Sequence, residues 1–247
     1  MDLERRVTLL SVANALSTVL LILLAACVWS ERSHARVSVL DAERVNIVGT
    51  NGQPVLALSN RPRLPGPTMN GTEYPAAVAD GRDLVSGMIF FNEEGDEVGG
   101  LIFNGFPRDD GGHAAIAHLS FDQWKQNQVL ALQCNDNGRT RGAGLNVWDR
   151  PTDVGMSGQL ERNLRMLSAS DEERAALRDE AAAARERGEY GVQRLFVGSR
   201  DQAAQVQLHD TAGRLRAQLY VDANDVPRLE FLDESGTVVA AYPEAEE

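Results

Sequence analysis

Lysine is nearly missing from this chain: of the 24 basic side chains in 247 residues, only Lys125 is one. With the Ala-rich stretches of the second half, that bias points to a GC-rich bacterial genome more than to an arginine chemistry. Positive charge is short overall, since 36 Asp and Glu residues leave a formal charge of −12. Asp2 and Glu4 cancel Arg5 and Arg6, so the whole excess lies beyond residue 29. A surface of that sign repels nucleic acid and anionic headgroups, and nucleic acid is not expected as a partner. Cysteine is scarce too. Cys27 sits in an apolar run and Cys134 far downstream, which excludes a disulfide within a folded domain. G-x-S-x-G, P-loop, G-x-G-x-x-G and C-x-x-C patterns are all absent, so the sequence implies no cofactor.

What the chain does have is an uncharged stretch of 23 residues from Val7 to Trp29. As a helix rising about 1.5 Å per residue, it is long enough for a hydrocarbon core of about 30 Å, and longer than the usual apolar core of a secretory signal. A retained transmembrane helix over 7–29 is therefore expected, after a short cytoplasmic head (1–6). The alternative is a lipoprotein signal, because Leu24-Ala25-Ala26-Cys27 resembles a lipobox and would make Cys27 the lipidated residue. Arg5 and Arg6 on one flank are nearly balanced by Arg32 and Arg36 on the other; the short head favours a soluble domain outside the cytoplasm.

After a linker (30–42), the region 43–243 repeats one pattern: alternating apolar residues, a turn ending in Gly, then more alternation. Aligned on Gly52, Gly95, Gly138, Gly213 and Gly236, the residue seven places earlier is Val45, Met88, Ala131, Val206 or Leu229. Asn92, Asn135, Asp210 and Asp233 stand three places before four of these glycines. Asp or Asn opening a type I turn that Gly closes in the left-handed region is a common way to join antiparallel strands. The expected fold is mainly β, an antiparallel hairpin-repeat meander closed as a sandwich, barrel or small propeller. A helical hairpin insertion is expected over 155–188, with Ser170 and Glu173 forming a capping box. Its second helix has Leu177 as the only large aliphatic and reads as a solvent-facing arm.

The runs "ERVNIVGTNGQPVLALSNRPRLPG", "SGMIFFNEEGDEVGGLIFNG" and "DTAGRLRAQLYVDANDVPRLEFLDESG" resemble a group of bacterial membrane-anchored proteins with D-x-x-G β-hairpin repeats. The resemblance covers most of 43–242. It implies no activity, cofactor or site residue.

The densest acid–imidazole cluster is Asp109, Asp110, His113 and His118, which could serve a metal-assisted hydrolase as ligands or base. The plainer reading is a Gly-rich hairpin loop followed by a strand. His34 falls in the linker and His209 in a strand. The acidic turns Asn92–Glu97, Asn135–Gly138 and Asp222–Asp225 lack the ligand spacing of a calcium loop, and no metal site is expected from them. The connection 61–83 carries four of the nine prolines; Arg61 and Arg63 could hold an anionic group there and Tyr74 could stack on it. Asn70-Gly71-Thr72 is a glycosylation sequon by pattern alone. Trp124, Trp148 and Cys134 read as core. Taken together, these features describe a membrane-tethered interaction or structural module of the cell envelope, with an envelope protein or glycan as partner. The alternative is an envelope hydrolase built on the Asp109–His118 cluster.

Overall fold

An uncharged, mostly apolar run gains little from water, and as a helix it satisfies its backbone internally. Helix α1 (Leu3–Arg32) is that element, and its stretch Leu3–Cys27 is long and apolar enough to cross a membrane. A signal sequence has the same properties. The computed structural model describes residues 2–32, 37–79, 81–222 and 224–243. His34, Arg36 and the side chains of Trp29 and Arg32, on which the sequence reading drew, lie outside what is described. The chain divides into two units, 1–41 and 42–247.

The second unit is built from hairpins. Its strands are β1 (Arg44–Val48), β2 (Pro54–Ser59), β3 (Thr68–Met69), β4 (Thr72–Glu73), β5 (Ser86–Phe91), β6 (Glu97–Pro107) and β7 (His113–Asp122). They continue as β8 (Gln128–Asp136), β9 (Arg141–Asp149), β10 (Val192–Arg200), β11 (Ala203–His209), β12 (Leu215–Val221), β13 (Pro227–Leu232) and β14 (Val238–Tyr242). Twelve of them form one antiparallel sheet in strictly sequential order, while β3 and β4 pair as a small ribbon. The sheet is open: β1 and β14 are its two edges, and no closed barrel is found among the described residues.

One turn recurs through it. In the segments starting at Gly49, Asn92, Arg108, Asp210, Asp222 and Asp233, the fourth residue donates its N–H to the first carbonyl, and the first N–H is bonded to the fifth carbonyl. The fourth residue has positive φ each time, a conformation that Gly adopts freely; Asp225 holds it at φ 63° where its siblings have Gly. Asn92, Asp210, Asp222 and Asp233 each accept two backbone N–H groups of their own turn at one side-chain oxygen. Asn135 departs from the expectation. It lies within β8, and the tight turn is Asn137–Thr140, closed by Asn137 N–H to the Thr140 carbonyl at 3.2 Å.

Two helices, α2 (Ser157–Ser168) and α3 (Asp171–Glu186), lie between the paired strands β9 and β10. Ser170 and Glu173 do form the capping box. Leu177 and Ala184 are buried, so α3 has a packed side and is not wholly a solvent-facing arm. Leu160 of α2 joins Met69 and Val78 in an apolar cluster that Tyr74 and Met156 flank.

Candidate functional site

Directly paired residues in an antiparallel sheet point to the same face, so the register sorts the side chains into two surfaces. One row runs through all twelve strands: Val45, Leu58, Met88, Leu101, Leu119, Leu132, Leu145, Val197, Val206, Leu219, Leu229 and Tyr242. Two residues along, the next row reads Ile47, Leu56, Phe90, Gly99, Phe121, Leu130, Val147, Leu195, Leu208, Ala217, Phe231 and Ala240. A third, on the other side of the first, includes Phe103, Ala117, Cys134, Ala143, Ala204 and Val221 together with Ser86 and Ser199. None of these residues is charged. None of the first row is buried, and Leu132 and Leu219 keep 51% and 53% of their surface in contact with solvent. Monomers seldom show so long a contiguous apolar surface.

The opposite face carries the polar and small residues and is the covered one. Ala57, Ile89, Gly100, Ser120, Ala131, Asn146 and Phe196 pair across it, and all are buried. Gln133 links His118 at 2.9 Å to Asn146 at 3.2 Å, and Gln193 extends the chain to Asn146 at 2.9 Å. Glycine lets Phe196 lie flat here. A Cβ on Gly144 would fall 2.5 Å from its ring, and one on Gly198 would fall 2.2 Å from the Ala143 carbonyl.

The covering is the connection after β2. Pro65–Met69 are buried, Gly71 N–H reaches Asp96 at 3.1 Å, and the Val78 carbonyl accepts from Asn163 of α2 at 2.9 Å. Arg82 grips Glu97 with both terminal nitrogens, at 3.0 and 2.8 Å, and donates to the Pro65 carbonyl. Of the residues expected to bind there, Arg63 pairs with Glu43 at 2.9 Å on the surface and Arg61 is exposed, whereas Tyr74 packs on the Met69–Val78–Leu160 cluster. The structure thus separates Tyr74 in role from the two arginines.

A cleft of about 440 Å³ opens between this covering and the sheet, lined by Glu97, Asp122, Gln128, Met69, Leu160 and Met166. Burial, with the Glu97 carboxylate beside it, pushes Asp122 up to about 7 against the pull of Arg150 and Arg82. One oxygen of Asp122 has no hydrogen-bond partner. Next to the cleft, Lys125 contacts both Asp96 and Glu94 at 2.5 Å, and Asp96 is 1% exposed. Burial alone would raise the Asp96 carboxyl; hydrogen bonds from Lys125 and Gly71 outweigh it and hold the group below its ordinary value. Sequence patterning missed Arg82, Glu97, Asp96 and Asp122, which meet only through the fold. The single lysine was the one available signal.

The acid–imidazole cluster is dispersed. His113 and His118 stand five residues apart on β7, so alternation sends them to opposite faces. His113 pairs with Asp136 at 3.0 Å, His118 with Gln133, and Asp110 caps Gly112 N–H at 3.0 Å and pairs with Arg108. Asp109 is exposed in the same turn. Among the described residues, no group of three His, Cys, Asp or Glu is placed to hold a metal. Two core expectations are corrected: Cys134 is exposed on the apolar face, and Trp124 is exposed at a turn with Lys125 over its ring at 5.4 Å. Cys134 does share a face with Leu130 and Leu132, but that face is the uncovered one; the turn position exposes Trp124.

Fold and faces together define an open, sequential β meander whose apolar side is left uncovered by the described residues of the sheet unit. No protein family, curated protein or solved structure matches the chain.

Proposed function

We propose that this protein is a membrane-tethered interaction or structural module of the bacterial cell envelope. The observation that carries the reading is the uncharged apolar surface that crosses all twelve strands and lies open to solvent. A sheet gains stability by burying its apolar face, so a bare one is a surface awaiting a macromolecule. Helix α1 supplies the tether as a single uncleaved span, with Cys27 as one of its apolar side chains and the sheet unit on the extracytoplasmic side. The partner is an envelope component; nothing in the placement of Asp109, Asp110, His113 and His118 favours hydrolysis.

Fractionation checks both parts. Alkaline carbonate should leave the protein in the membrane pellet with residues 1–26 still attached. A mature form starting at an acylated Cys27 would replace the span by a lipid anchor. Covalent cross-linking through carboxylates in intact membranes should place the wild-type chain in larger species and the Leu132→Glu chain outside them. Equal cross-linking of both would remove the sheet face from the interaction.

A further inference from the structure

We propose that a second copy of this chain covers the apolar face, the two sheets meeting face to face; this rests on reading the face as an interaction surface. Three observations select that occupant. The first is extent. Twelve strands about 4.8 Å apart make the face roughly 50 Å wide, and three rows with their side chains reach roughly 20 Å along the strands. Face-to-face burial would then remove roughly 1,000 Å² per copy and about 2,000 Å² in all, at the size of permanent interfaces. A partner must offer an apolar surface of equal reach, and an identical chain does so by construction.

The second is charge. With a net −12, two copies repel through most of their surface, yet the three rows contain no ionised side chain. The charges stand at the rims instead, as with Asp136 opposite Arg141 at one end and Asp210 and Asp233 in the turns of the other. Contact through this face is the arrangement that keeps like charges at the edge.

The third is the poor fit of a bilayer. A membrane-spanning sheet needs closure and an apolar band about 25 Å tall, because unpaired edge groups find no water in lipid. This sheet has two open edges, β1 and β14, and its band is shorter and bracketed by charged turns. Sheets packed face to face stand about 10 Å apart with side chains interdigitating, which suits rows of Leu, Val and Phe. Tethering by α1 holds copies in one plane and favours the encounter.

Cys134, on the third row, is a built-in reporter of coverage. The test uses the full chain with Cys27→Ser, both in membranes and purified in a mild detergent. Light scattering should give more than one copy per particle, and maleimide should modify Cys134 several-fold more slowly than in Leu132→Glu or Leu219→Glu chains, which should be monomeric. An exposed α3 change, Ala182→Glu, should behave as wild type. Protection of Cys134 that falls on dilution supports the proposal even if the Glu variants do not fold. Three results overturn it. Association unchanged in folded Leu132→Glu and Leu219→Glu chains would place the contact elsewhere. A monomer with Cys134 protected in membranes and reactive once purified would mean a different partner and would leave the interaction reading standing. A monomer reactive in both settings would end both readings.

Discussion

The two faces of the sheet invert the usual relation between polarity and burial. The side carrying His118, Gln133, Asn146 and Gln193 is covered and joined by side-chain hydrogen bonds, whereas the side carrying Leu132, Leu219 and Phe231 is bare. A polar face can be buried without loss only if its groups find partners, and the amide ladder supplies them. The apolar face needs no such matching and is complete as soon as any equally extended apolar surface arrives. The covered face is therefore fixed within the chain, whereas the apolar face stays exposed among the described residues.

The largest expected effect breaks the covered side. Gly198→Val would force a side chain against the Ala143 carbonyl, with an added Cβ at 2.2 Å, and should cost on the order of 3 kcal/mol or more by denaturant unfolding at any protein concentration. Loss of much less would mean that the strands separate there without penalty. Close behind, Ile89→Ala removes a fully buried side chain and should cost about 2–4 kcal/mol, again independent of concentration. The matched change Leu132→Ala on the bare face should destabilise in a concentration-dependent way, which a single uncovered sheet would not show.

A smaller effect concerns Asp122 on the covered side. Its carboxyl is raised in the folded state to about 7, so folding takes up a proton, and stability should fall as pH rises from about 4 to 7 and level off above. Asp122→Asn should abolish this slope and stabilise the protein at pH 8 by on the order of 2 kcal/mol, with little change near pH 4. A slope that persists in the variant would assign the proton elsewhere. The turn carboxylates act oppositely. Asp210, opposed by burial but held down to about 2 by the Arg214 and Ala212 N–H groups and the Arg214 guanidinium, favours folding above the ordinary carboxylate range, and that contribution is lost as pH falls toward 2.

The smallest effect is a reversal of sign within one turn type. Gly236 has φ 85° and open space about it, so Gly236→Val should cost about 1 kcal/mol from backbone strain and Gly236→Asn less. Asp225 occupies the same turn position at φ 63°, and Asp225→Gly should be neutral or stabilising by a few tenths of a kcal/mol. Thermal melts of the three variants decide whether the two positions are equivalent.

The sequence alignment on the turn glycines already contained the bare face. Val45, Met88, Val206 and Leu229, each seven residues before a Gly, all lie in the row that crosses the sheet. Ala131, third in that alignment, falls on the covered side because the Asn137–Thr140 turn is tighter than its siblings, and an odd slip moves a residue through the sheet. Period-two alternation could show that one side was apolar. It could not show which side the chain would cover, because that depends on the 60–85 connection and α2 reaching over the polar residues from opposite parts of the sequence. The sealed pair Arg82–Glu97 and the raised Asp122 were illegible for the same reason.

The strictly sequential strand order has a consequence for growth. Pairing follows chain order, so most closures are tight hairpins that can zip locally; the two exceptions are the long connections between β2 and β5 and between β9 and β10. Duplicating or deleting one hairpin shifts no other register and changes the breadth of the sheet by about 10 Å, two strand spacings. Breadth is thus an adjustable length written in hairpins, and two chains of unequal count would leave a strip of one unmatched. Self-recognition by such a surface would sort molecules by size as much as by sequence.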